Sequence, residues 1–198
     1  DDKGDTRFKL RFKSEKQIQM KRWLRLAEGE GCGVGENKGN GEVSAGLECI
    51  QLSNRRLTEV PEYFLLPELN VRVITMRKNS ILRLPEIFCI ALQHLEECDL
   101  SHNILSALPP TIGNLRNLKK LLLNENRLIG LPFGLGHLRR LQVLNIEKNS
   151  ITRLPCSLSA TTSLSTIATR GNPPFVQPPQ QMLDVPMDSA RADWMHSI

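Results

Sequence analysis

Five cysteines and four histidines are the side chains in this 198-residue sequence best suited to nucleophilic, acid–base or metal chemistry. Their spacing does not serve it. Cys32, Cys49, Cys89, Cys98 and Cys156 are odd in number and scattered, with no Cys-x-x-Cys pair of the sort that holds zinc or cycles a disulfide. His94, His102, His137 and His196 give no His-Glu-x-x-His, and no Gly-x-Ser-x-Gly nucleophile turn is present. No catalytic residue, metal ligand or cofactor is expected, and the chain reads as a non-enzyme.

Phosphate chemistry is the next candidate. Seven of the thirteen glycines fall in residues 28–46, but no phosphate-loop pattern aligns there. The stretch also follows a helical pattern, where a phosphate loop would follow a strand. A flexible linker is the simpler reading. Upstream, residues 1–27 form a basic arm. Its charge is carried by Lys9, Arg11, Lys13, Lys21, Arg22 and Arg25, among nine Lys/Arg between Lys3 and Arg25. Phe8 to Lys13 alternates apolar and basic residues as a strand would, and Ser14 with Gln17 reads as a capping box opening a helix. Such a charge run is usually a solvated face. The sharper alternative is an arm for nucleic acid or an acidic partner. The whole chain carries +5, so outside the arm the charges nearly cancel.

Positioning must come from the rest of the chain, and there a period emerges. Apolar residues recur as L-x-x-L-x-L-x-x-N-x-L, closed by Leu-Pro or Val-Pro. The copies start at Leu47, Val71, Leu95, Leu118, Leu141 and, in degenerate form, Leu164, every 23 or 24 residues. This is the spacing of leucine-rich repeats. Each copy supplies a short strand and a return segment, too small to bury its own apolar face. Stacking them gives one parallel sheet and a continuous core. Asn79, Asn103, Asn126 and Asn149 share one template position, where an amide can satisfy backbone groups that a bend would orphan. Arg55 stands at that position in the first copy, and Thr169 replaces a strand leucine in the sixth. The fold expected is an α/β repeat solenoid, a leucine-rich-repeat horseshoe with a parallel concave sheet and about six repeats. The repeats span residues 47–172, and residues 173–198 form a C-terminal cap.

The segment LPPTIGNLRNLKKLLLNENRLIGLP resembles the intracellular leucine-rich-repeat proteins of the Ras-suppressor and Scribble-like group. The ending GNPPFVQPPQQM is similar to the exit motif of the same group. The resemblance spans about residues 47–180. It implies a scaffold that presents its concave sheet to a protein partner. Secreted proteins of this type carry clustered cysteines in flanking caps, which this chain lacks. With no Asn-x-Ser/Thr sequon either, a reducing, cytoplasmic location is expected, with cilium, cytoskeleton or nucleus as alternatives. No stretch approaches the ~18 apolar residues of a membrane span.

Strand alternation sends the template leucines inward, with Cys98 among them as a packing residue, and the residues between them outward. One outward column reads Glu48, Arg72, Glu96, Lys119, alternating in sign and leaving no strong field for a polyanion. The partner surface expected comprises Arg72, Val73, Arg77, Glu97, Asp99, Lys120, Leu122 and Val143. Arg139 and Arg140 are expected on the convex side. Two further functions compete with an adaptor. One is a structural subunit of a large cytoskeletal or ciliary particle. The other is a ribonucleoprotein factor using the basic arm.

Overall fold

The computed structural model describes residues 49–62, 65 and 70–175. The basic arm, the glycine-rich linker and the C-terminal cap lie outside the described residues.

Six three-residue strands follow one another along the chain: β1 Cys49–Gln51, β2 Val73–Thr75, β3 Glu97–Asp99, β4 Lys120–Leu122, β5 Val143–Asn145 and β6 Thr166–Ala168. They form one parallel sheet in sequence order. The register follows the repeat: Ile50, Ile74, Cys98, Leu121, Leu144 and Ile167 lie side by side across it. The middle residue of every strand is buried. This single column is the front wall of the core.

Return segments make the back wall. In the second repeat the return is α1, Glu86–Ala91; in the next three it is a 3-10 turn at Pro110–Asn114, Phe133–His137 and Cys156–Ala160. A proline precedes each at φ between −66 and −70°, in extended backbone that delivers the chain to the back of the stack. The interval around α1 is 24 residues, and the extra residue completes an α-helical turn where the 23-residue repeats close a 3-10 turn. Phe88, Ile112, Leu115, Leu135, Leu138 and Leu158 meet the strand leucines in one continuous apolar cluster.

Neighbouring 3-10 turns approach until there is no room for a side chain. A Cβ on Gly113 would strike the Gly134 carbonyl oxygen, and one on Gly134 would strike that of Pro110. Gly136 stands likewise against the Ser157 carbonyl. The sequence period did not reveal this use of glycine.

The asparagine column performs as expected. The Asn103 amide donates to Leu100 O at 3.0 Å in its own repeat and to Met76 O at 2.9 Å in the preceding one, while its Oδ1 accepts from Ile81 N at 3.0 Å. Asn79, Asn126 and Asn149 repeat the pattern, and Asn172 extends it to a fifth member. Each asparagine therefore serves the turn before it as well as its own. Arg55 has no acceptor, and Asn79 serves its turn, with Oδ1 accepting from Arg55 N and Leu57 N at 2.9 and 3.1 Å and the amide donating to Leu52 O at 2.8 Å.

Candidate functional site

The outward columns flank the buried one on each strand. Val73, Glu97, Lys120 and Val143 are in register across β2 to β5, as are Thr75, Asp99, Leu122 and Asn145. The sheet thus brings together most of the expected partner surface. Val73, Leu122 and Val143 are half-buried. Leu122 and Val143 lie on adjacent strands and form a small apolar patch. Val73 stands apart from them, with the Glu97 and Lys120 positions between it and Val143.

Much of the charge is spent within the sheet. Glu96 bridges two strands, with Lys119 Nζ at 2.5 Å and Arg72 Nη1 at 3.5 Å. The hydrogen bond from Lys119 holds the Glu96 carboxyl below its ordinary range, with Arg72 and Arg140 adding to the effect. Glu97 faces Lys120 at 3.8 Å. Asp99 turns back onto its own chain, accepting from Ser101 N at 2.9 Å and Ser101 Oγ at 2.6 Å. Asn145 Oδ1 does the same for Glu147 N at 3.0 Å. Asp99 is therefore a turn-former first, which its place in an outward column could not disclose. Arg140 donates to Asn117 Oδ1 at 2.8 Å and lies within the field of Glu96. That places it beside the start of the strands, not on the convex side where it was expected.

A second row of side chains, missed in the sequence, follows the strands. The residue before each column asparagine has a positive φ: Lys78 at 54°, His102 at 54°, Glu125 at 56°, Lys148 at 51° and Gly171 at 78°. Asn54, before Arg55, has 57°, and Arg56 has 55°. These left-handed residues stack into an edge row. Glu125 is its hub, 2.7 Å from His102 Nδ1 and 2.6 Å from Lys148 Nζ. The Lys148 hydrogen bond lowers the Glu125 pKa, and Glu125 in turn raises that of Lys148.

Two of the described thiols are withdrawn from this surface into the core. Cys98 is 2% exposed, and burial pushes its thiol well up; Cys89 is fully buried and pushed up to about 11 by the same cause. Among the described residues no group of histidines, cysteines and carboxylates could hold a metal. Nor is any helix among them long and apolar enough to cross a membrane. The arm residues Lys9, Arg11, Lys13, Lys21, Arg22 and Arg25 lie outside the described residues. On the return side, Ile87, Ile90 and Phe133 are exposed, Phe133 to 64%. This outer surface also escaped the sequence reading.

Comparison with known proteins agrees with the geometry. The Leucine Rich Repeat family matches residues 94–115. A leucine-rich-repeat protein of Leptospira interrogans aligns over 64% of this chain with a TM-score of 0.58 and 27% identity. The chain spans 32% of that protein's length. A chain from the BIR3–SERK2 complex of Arabidopsis thaliana aligns over 65% of this chain and 69% of its own, with a TM-score of 0.55 and 27% identity. With repeat, register and likeness in agreement, the described part of the chain is a leucine-rich-repeat solenoid with an open parallel sheet.

Proposed function

We propose that the protein is a non-enzymatic adaptor that binds a protein partner through the concave sheet. The observation that carries this reading is the Leu122–Val143 patch, half-buried on adjacent strands and set beside the ion-paired columns of β2 to β4. An apolar centre with a charged surround is the usual anatomy of a protein-binding surface. Burial there contributes ~25 cal/mol per Å², and the charges set register more than affinity. That one of the similar structures is a complex between two proteins supports the same reading. The segment LPPTIGNLRNLKKLLLNENRLIGLP supports kinship with the Ras-suppressor and Scribble-like group. The free thiols of Cys89, Cys98 and Cys156 support a reducing, cytoplasmic setting.

A structural subunit is the second reading, favoured by Ile87, Ile90 and Phe133 on the return side. The nucleic-acid alternative rests on the basic arm alone. Photo-crosslinking separates the three. A crosslinkable residue at Leu122 or Val143 should capture a discrete protein in native extract, and one at Ile90 or Phe133 should not. Capture only from the return side would replace the adaptor by the subunit. Crosslinks to nucleic acid from Lys13 or Arg22, with a silent sheet, would favour the third.

A further inference from the structure

The edge row divides into a satisfied half and an unsatisfied half. From the third repeat onward His102 and Lys148 both bind Glu125. In the first two repeats the corresponding turns carry Arg56, Arg77 and Lys78, all exposed. Among the described residues none of these three has an ion-pair or side-chain hydrogen-bond partner. The cause is the identity of their neighbours. By the register of β1 to β3, Arg77 stands between Ser53 and Ser101, and Lys78 between Asn54 and His102. None of the four is a carboxylate, and His102 is already engaged by Glu125.

The two turns are tied together. Asn54 N donates to Arg77 O at 3.1 Å, and Lys78 N donates to Ser101 O at 3.0 Å. Asn79 Oδ1 takes the N–H groups of Arg55 and Leu57. Three cations therefore project from a backbone that is already fixed, so little backbone order is lost when they engage a ligand.

We infer that Arg56, Arg77 and Lys78 form a seat for an acidic segment of the protein partner, whose carboxylates they engage one by one. Guanidinium forks match carboxylates in pairs of hydrogen bonds. Adjacent turns are ~4.8 Å apart, within the reach of acidic residues one or two positions apart in an extended peptide. A compact phosphate cradle is the less suitable occupant. Such cradles use converging backbone N–H groups, and here those of Asn54, Arg55, Leu57 and Lys78 are already donated. This inference rests on the adaptor reading and names the chemistry of the partner.

The test uses the full chain and a fluorescein-labelled Glu-Ser repeat peptide, followed by anisotropy at about 0.05 M salt, where exposed charges are little screened. Two variants each remove two cations. Arg77→Ser with Lys78→Asn takes the residues that stand at the same positions in the first repeat, Ser53 and Asn54. Arg116→Gln with Arg139→Gln, both exposed just after the 3-10 turns, is the charge-matched control. The peptide should bind saturably, the first variant should weaken binding by about tenfold, and the control should not. The inference is overturned if the peptide does not bind. It is equally overturned if both variants weaken binding alike, since net charge would then suffice. An unchanged far-ultraviolet spectrum keeps misfolding apart from lost affinity. If the corner fails while crosslinks at Leu122 persist, the adaptor reading stands and only the acidic seat is lost.

Discussion

The side-chain amide of Asn126 donates to Leu100 O, in the repeat before its own, at 3.0 Å. Its Oδ1 accepts from Leu105 N at 2.9 Å, and the same amide donates to Leu123 O at 2.9 Å. One buried side chain thus answers three backbone groups in two repeats. Asn126→Ala would leave Leu105 N without its acceptor, while Leu100 O keeps the Asn103 amide and Leu123 O keeps the Asn149 amide. A loss on the order of 1–3 kcal/mol is expected, the cost of one buried unpaired N–H. Urea melts of the variant and the parent measure it directly, and coincident curves would deny the asparagine this role.

Close packing of the returns predicts a selective intolerance to alanine. Gly134→Ala and Gly136→Ala each drive a methyl group into backbone that cannot swing aside, whereas Gly130 has open space around it. The first two should cost on the order of 1–3 kcal/mol by overpacking. Gly130→Ala should leave the thermal midpoint close to the parent's. Melting all three in parallel decides the matter, since a uniform response would mean the returns yield easily.

Buried thiols give the array an alkaline weakness. Cys89 keeps its proton to about 11 when folded, against an ordinary 9.0. Between those values the unfolded chain releases a proton that the folded chain retains, so stability falls as pH rises. For Cys89 alone the fall is on the order of 1–3 kcal/mol. Cys98, also shifted upward, acts in the same direction. Urea midpoints taken across this range should decline, and Cys89→Ala should flatten the slope. A slope that the substitution leaves untouched would remove Cys89 from the account.

Charge on the apolar concave patch should abolish partner binding and spare the fold. Leu122 and Val143 are half-buried beside the core column, with side chains outward. Leu122→Lys with Val143→Lys is expected to keep the parent's far-ultraviolet spectrum and lose the crosslinked partner. Retained capture would move the interface elsewhere.

A chain beginning at Val43, without the arm and most of the glycine-rich stretch, is expected to remain folded and monodisperse. The first described strand already pairs with β2 through Cys49, Ile50 and Gln51. Aggregation of the shortened chain would make the arm an integral cover for the edge of the first repeat.

The period made the core and the register readable. Once Ile74, Cys98, Leu121 and Leu144 share a template position, parallel stacking leaves one alignment, and the asparagines follow from it. What escaped reading depends on a side chain's choice between partners. Asp99 could have faced a ligand, but Ser101 two residues on offers both a backbone and a hydroxyl donor. Glu125 could have been any exposed acid; only the stacking of left-handed turns brings His102 and Lys148 to either side of it. Gly134 has no place in the apolar template, and its use emerges only when the neighbouring return is in place.

The backward reach of the asparagines gives assembly a direction in time. A turn near Ile81 is not complete until Asn103 has arrived to accept its N–H, and one near Leu105 waits for Asn126. A chain emerging from a ribosome would therefore always trail one unfinished bend, about one repeat behind the newest folded strand. Every intermediate length exposes a fresh docking edge at its growing end. The nascent solenoid is most vulnerable there, and the next segment of its own sequence is what protects it.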